Sequence, residues 1–259
     1  LTLKVFITGA SSGIGEALAV YYAEKGALLG LASRRQASLD ILNQRLGGHH
    51  ACYALDVADA PALHAAAQDF IGRFGAPDVV IANAGVSAGT LTECEEDLAV
   101  FRRLMDTNVF GMAATFAPFI PAMKAAGERR PMQRLVGIAS VAGIRGLPGA
   151  EAYSASKAAA ITYLESLRLE MRPHGIRVVT IAPGYIETPM TAINPYPMPF
   201  LLPAAKAAPR FAAAIARGVS YAVIPWPMGV VAKLLRVLPN WLYDRLFAGA
   251  PRKPRGLLK

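Results

Sequence analysis

The chain has 259 residues, 54% of them hydrophobic and 17% charged, and carries a formal charge of +9. That composition is enough for one large core, or at most two small ones, and excludes a disordered chain. Two cysteines, Cys52 and Cys94, exclude a disulfide framework and offer no metal-ligand spacing, and with no signal peptide at the start a reducing, cytoplasmic location is expected.

The positive charge gathers at the end. From position 230 onward seven bases (Lys233, Arg236, Arg245, Arg252, Lys253, Arg255 and Lys259) face one acid, Asp244. No nucleic-acid partner is expected, and the catalytic candidates lie elsewhere.

In chain order, short apolar runs at 3–7, 28–32, 51–55, 79–82, 135–139 and 178–181 alternate with turn signals and amphipathic stretches. This alternation predicts βαβ units and a parallel sheet covered on both faces. The first strand ends in "TGASSGIG", residues 8–15, and a helix is expected over 14–25. Glycines there let the backbone turn sharply and let a phosphate approach. The helix behind them offers free N–H groups and a partial positive charge. A dinucleotide pyrophosphate is the natural ligand.

After the second run the chain reads "LASRRQAS". Ser33 stands where an acid would hold both ribose hydroxyls. Arg34 and Arg35 follow, and a guanidinium pairs well with a 2′-phosphate. NADP(H) is therefore expected ahead of NAD(H).

In "AYSASKAAA", residues 152–160, Tyr153 and Lys157 stand four apart in an alanine-rich run. On a helix they share one face. A free phenol has a pKa of about 10, and a neighbouring ammonium favours its ionised form. The pair reads as a tuned proton donor. Ser140 follows the fifth apolar run, where its hydroxyl can hydrogen-bond a substrate oxygen as charge develops.

"NPYPMPFLLP", residues 194–203, interrupts regular structure with four prolines. A helical pattern follows over 204–218, with Pro209 expected at a start or a kink. Residues 220–224 read as a last strand. Beyond it Val230, Val231, Leu234, Leu235, Leu238, Trp241 and Leu242 recur at helical spacing. Pro225, Pro227, Lys233 and Pro239 exclude a membrane span there.

Taken together, these motifs make the chain resemble the short-chain dehydrogenase/reductase family. The resemblance covers about 3–224 and rests on "TGASSGIG", "NAG" at 83–85, Asn108 in "DTNVFG", Ser140 in "IASVAG", "YSASK" at 153–157, and "PG" at 183–184 with Thr188. It implies a single-domain α/β Rossmann fold with a seven-stranded parallel sheet. It also implies hydride transfer between NAD(P) and an alcohol/carbonyl pair. The implied catalytic set is Asn108, Ser140, Tyr153 and Lys157, with Asn108 ordering a water beside the lysine. The implied cofactor residues are Gly9, Ser11, Ser12, Gly13, Ile14 and Gly15; Ser33, Arg34 and Arg35; Asp56 and Val57; Asn83, Ala84 and Gly85; Tyr153 and Lys157; and Pro183, Gly184, Ile186 and Thr188. No metal is implied.

The expected organisation is a catalytic domain over 1–224, with a substrate lid at about 185–218, and an amphipathic basic extension over 225–259. Met190, Ile193, Tyr196, Met198, Phe200, Leu201 and Leu202 make the lid apolar and point to an apolar alcohol or carbonyl substrate. The extension departs from the family pattern. Its stripe is expected to pack on protein, within the chain or across a homodimer or homotetramer. Its final bases are expected to stay exposed, where they can bring the chain peripherally to a membrane. A nucleotide-binding sensor or scaffold with vestigial catalysis is the competing function, disfavoured by the complete Ser140/Tyr153/Lys157 set.

Overall fold

A computed structural model describes residues 2–127 and 133–256. Seven parallel strands form one sheet: β1 (Lys4–Thr8), β2 (Leu28–Ser33), β3 (Ala51–Ala54), β4 (Val79–Ala82), β5 (Arg134–Ile138), β6 (Arg177–Pro183) and, last in the chain, β9 (Tyr221–Ile224). Their spatial order is β3-β2-β1-β4-β5-β6-β9. Val5, Phe6, Ile7, Val80, Ile81, Leu135, Val136, Val179 and Ile181 are buried in it, as in a sheet covered on both faces. The order reverses between β1 and β4. Connections leave that point in opposite directions and open a crevice at the strands' carboxyl ends.

One face carries α1 (Gly13–Glu24) and α2 (Gln36–Arg45). The other carries α3 (Ala60–Phe74) and a long helical run made of α4 (Asp97–Met105), a π turn (Asp106–Phe110) and α5 (Gly111–Phe116). It continues into α6 (Ile120–Ala126) and is joined by α7 (Glu151–Met171). Phe6 meets Phe70 edge-on, with centroids 5.5 Å apart, in the core beneath α3. By length and composition alone the run 97–126 could cross a membrane. Its Leu104, Met112, Phe116 and Met123 are instead buried in the domain.

After β6 come β7 (Ile186–Glu187), α8 (Pro189–Ala192) and β8 (Leu202–Pro203), then α9 (Ala204–Arg217), and after β9 come α10 (Trp226–Val237) and α11 (Asn240–Phe247). Pro209 lies inside α9, in its second turn, where one intrahelical bond is lost. The segment expected as a lid, 185–218, takes in α9. Ala207, Ala208, Phe211 and Ile215 of α9 are buried against α1, so that helix is core, and only the segment before it is free to cover substrate.

The tail stripe is only partly covered by its own chain, with Leu235, Leu238 and Leu242 half-buried. Val230, Leu234 and Trp241 are 49%, 60% and 70% exposed. The helices hold on through their opposite sides: Met228 packs on Gly184, and Ala232 and Tyr243 are buried. Arg145 caps the link, donating to Asn240 Oδ1 at 3.0 Å and lying 4.3 Å over the Tyr243 ring. Of the final bases, Arg252 and Arg255 stay exposed as expected, Arg255 while paired with Asp97; Lys253 departs from expectation, half-buried and donating to Ser87, and Lys259 lies outside the described residues.

Candidate active site

A cleft of about 290 Å³ opens at the carboxyl ends of the strands. Its wall contains Gly9, Ser11, Ser12, Gly13, Ile14, Ser33, Arg34, Arg35, Asp56, Val57, Asn83, Ala84, Gly85, Ser140, Tyr153, Lys157, Pro183, Gly184, Ile186 and Thr188. Of the residues singled out in the sequence, Gly15 and Asn108 stand behind that wall.

The glycine loop is positioned by contacts that only a bare backbone allows. A Cβ on Gly15 would collide with the Gly9 carbonyl, and one on Gly9 would stand 2.8 Å from the Ala84 Cα. Asn83 ties this loop to β4: its Nδ2 donates to the carbonyls of Thr8 and Gly9 at 3.0 and 3.2 Å, and its own N–H donates to Thr8 Oγ1 at 3.1 Å. Ser12 precedes α1 in extended conformation, and its side chain makes no capping bond. The first N–H groups of α1 are thus left to an external acceptor. Gly13, at φ +60°, lies against Thr188, whose methyl would be 2.9 Å from an added Cβ. Thr188 opens α8, with its N–H donating to Thr191 Oγ1 at 3.0 Å.

Arg34 and Arg35 stand exposed at the rim, just past β2. Arg35 reaches back to the glycine loop, donating through Nη2 to Ser11 Oγ at 3.1 Å. This pins one guanidinium beside the place where an adenine ribose would lie.

The other end of the cleft is built by β5 and α7. Ser140 caps a short 3₁₀ turn, Val141–Gly143, by accepting the Ala142 N–H at 3.1 Å. Gly143 presses on α7: a Cβ there would lie 2.6 Å from the Lys157 carbonyl carbon. The close approach brings Ser140 to Tyr153, with which it hydrogen-bonds. Lys157 Nζ donates to the Ile138 carbonyl at 3.0 Å and sits 5.9 Å from the centroid of the Tyr153 ring.

The electrostatics differ from the simple tuned pair. Burial pushes the Tyr153 hydroxyl up, and the Ser140 hydrogen bond pulls it back only in part. Burial also brings the Lys157 ammonium down to about 8. In the free protein, desolvation outweighs the attraction expected between ammonium and phenolate, and Tyr153 is held as a protonated phenol.

Asn108 sits in the π turn, a local helix defect of a kind often found at functional sites. Its side chain does not face the cleft. Oδ1 accepts the Val86 N–H at 2.9 Å, and Nδ2 donates to the Val86 carbonyl and to Ser156 Oγ, both at 3.0 Å. The amide therefore ties the 83–86 loop to α7.

Leu55, Val86, Thr107, Ile138, Ala139, Pro189 and Thr191 also line the cleft and were not singled out in the sequence. Each neighbours a motif residue, and that adjacency was the signal available. Lys253, whose Nζ lies 5.8 Å from the Tyr153 ring centroid, had no such signal.

A doubly wound parallel sheet with a phosphate-type glycine loop and a Ser/Tyr/Lys cluster at its switch point defines a Rossmann-type nucleotide-binding protein. The family model described as short chain dehydrogenase matches residues 4–195, and the chain belongs to that family of oxidoreductases. An oxidoreductase of Myxococcus xanthus (strain DK1622) is 39% identical over 241 residues, covering 92% of this chain and 93% of that one. Dehydrogenase/reductase SDR family member 7B of Bos taurus is 34% identical over 279 residues, covering 97% and 82%. Among solved structures, a short chain dehydrogenase from Burkholderia cenocepacia J2315 in complex with NADP superposes with a TM-score of 0.81 at 26% identity, covering 95% and 97%. A 3-ketoacyl-(acyl-carrier-protein) reductase from Brucella melitensis, complexed with NADH, gives 0.77 at 26% identity, covering 86% and 96%.

Proposed function

We propose that the protein is an NADP(H)-dependent oxidoreductase that interconverts an alcohol and a carbonyl on a largely apolar small molecule. The observation that carries this reading is the convergence of Ser140, Tyr153 and Lys157 in the same cleft as the glycine loop. The cleft suits a dinucleotide. The uncapped start of α1 suits the pyrophosphate, and Arg34 with Arg35 suits a 2′-phosphate. The related Burkholderia protein was solved with NADP and the Brucella reductase with NADH, so the preference here rests on the two arginines.

When bound, the dinucleotide supplies or accepts the hydride. The chain's residues do the rest. In reduction the Tyr153 hydroxyl gives its proton to the carbonyl oxygen. The Ser140 hydroxyl donates a hydrogen bond to that oxygen as negative charge develops there. Lys157 holds the positive charge that favours a departing proton, one helical turn away. Met190, Ile193, Phe200 and Leu201, each more than a third exposed, form the free edge that would close over an apolar substrate.

The test is direct. NADPH consumption is followed across a panel of apolar aldehydes and ketones, with the affinity of NADPH and NADH titrated in parallel. The wild type should turn over several members and bind NADPH on the order of ten- to a hundred-fold more tightly, the size of a charge-assisted bond. Tyr153→Phe should lose turnover and keep cofactor affinity. Near-wild-type turnover by that variant would refute the mechanism, and equal affinities would refute the cofactor assignment.

The exposed face of α10 and α11 supports a second element of the reading. Trp226, Leu234, Val237, Trp241 and Leu246 are each at least 60% exposed, and Lys233, Arg236 and Arg245 stand among them in water. Each large side chain gains about 1.5–3 kcal/mol on burial. Interfacial tryptophans with bases nearby suit an anionic lipid surface. Full-length protein should float with phosphatidylserine vesicles and Trp241→Glu should not. A wild type that stays behind as a stable dimer would instead place a second copy on this face.

A further inference from the structure

The segment 251–256 crosses the active-site end of the domain as an extended strap. It is held at several independent points. Gly89 N–H donates to the Pro254 carbonyl at 2.9 Å, and a Cβ on Gly89 would collide with the Lys253 carbonyl. Arg255 donates through Nε to Asp97 Oδ2 at 2.7 Å and through Nη2 to Glu96 Oε1 at 2.9 Å. Asp97 is buried and also accepts the Leu91 N–H at 2.8 Å, so the anchor is itself fixed. The Arg255 hydrogen bond holds the Asp97 carboxyl below its usual range.

These anchors deliver one side chain to the chemistry. Lys253 Nζ donates to Ser87 Oγ at 2.7 Å and lies 5.8 Å from the Tyr153 ring centroid, as near as Lys157 on the same measure. Ser87 follows directly on the cleft-lining stretch 83–86. Among the described residues no carboxylate pairs with Lys253, although Arg255, two positions on, takes two. Burial lowers the Lys253 ammonium to about 8, leaving it mostly charged at neutral pH. A partly buried ammonium whose protein partner is a neutral hydroxyl is a strong donor awaiting an anion.

We infer that Lys253, presented by the C-terminal strap and steadied by Ser87, is the subsite for an anionic group on the substrate, which makes an oxo acid with an apolar body the preferred substrate class. The inference rests on the reductase reading above and sharpens it. The lid covers the apolar body, Tyr153 meets the carbonyl, and Lys253 takes the carboxylate. It also gives the strap a purpose: the paired acids Glu96 and Asp97 hold Arg255 so that the neighbouring lysine stays beside Tyr153.

The experiment compares phenylglyoxylate, benzoylacetate and benzoylpropionate, each against its methyl ester, in the full chain with NADPH. For at least one pair the wild type should favour the acid about ten- to a hundred-fold in kcat/KM. Lys253→Met should collapse that acid-to-ester ratio toward one, and Lys253→Arg, which keeps the charge, should retain most of it. Asp97→Asn, which loosens the strap without touching Lys253, should lower the ratio as well. Calorimetric binding of the same acids to wild type and Lys253→Met gives a readout independent of turnover. A protein that binds the acids through Lys253 yet never oxidises NADPH would uphold the subsite and contradict the reductase reading. A protein that reduces the esters as well as the acids, with a ratio unmoved by Lys253→Met, would overturn the subsite and leave the reductase reading standing.

Discussion

Lys157 shows how a functional residue sets itself against stability. Its ammonium is buried, accepted among the described residues by the Ile138 carbonyl, and brought down to about 8 from an unfolded value of about 10.4. Because the folded value is the lower one, folding carries a penalty for the charged form. The penalty is full below about pH 8 and fades as pH rises toward the unfolded value, so this residue makes stability rise with pH across that window. The shift corresponds to on the order of 3 kcal/mol, against about 1 kcal/mol for the single hydrogen bond that would be lost. Charge burial is the larger effect. Lys157→Met should therefore raise stability near pH 7 by roughly 2 kcal/mol while abolishing turnover, and the gain should shrink toward pH 10. Denaturant unfolding at several pH values measures it; a variant less stable than wild type at pH 7 would mean that the lysine is held by more than the Ile138 carbonyl. Under the proposed mechanism the same titration bears on turnover: carbonyl reduction should hold up to about pH 8 and decline above it as Lys157 loses its charge.

At the scale of elements, the active site is a meeting of β5 and α7, and Gly143 sets their distance. Its missing side chain lets the turn after β5 rest on the backbone of Lys157 and Ala158. Gly143→Ala puts a methyl 2.6–2.8 Å from those backbone atoms, so turn and helix must part. Ser140 would then move away from Tyr153 while the glycine loop, on β1 and α1, stays in place. The expected result is a fall in kcat of about 10²-fold, the scale of a misplaced catalytic group, with NADPH affinity within a few-fold of wild type. Loss of both together would mean that the substitution unfolds the domain rather than separating two elements. The motif strings pointed to the places proposed for the chemistry: "YSASK" lies within α7, and "IASVAG" runs from the end of β5 into the 3₁₀ turn. They did not show that a single glycine holds the two in contact, because that contact joins residues with no shared pattern.

For the whole molecule, the sheet was legible because its strands are short apolar runs between turn signals, and the order of motifs placed them all at one end. Helix α9 was read as lid because alanine-rich helices read alike whether they cover a substrate or pack on α1. The tail was legible only in part: periodicity identifies a helical face but not its cover, and the buried Tyr243 and Met228 lie outside the stripe. Lys253 was invisible for another reason. It lies 166 positions from Ser87 and reads in sequence as one more base in a charged end. Only the fold brings it to Tyr153. The proposed reaction depends on hydride reaching a carbonyl carbon held at Ser140 and Tyr153. The most direct measurement is transfer of deuterium from NADPH labelled at the reactive nicotinamide carbon into the product alcohol. The wild type should place the label on the former carbonyl carbon, and Tyr153→Phe should form no labelled product while still binding the cofactor. An alcohol formed without the label, or labelled equally by the variant, would contradict the account.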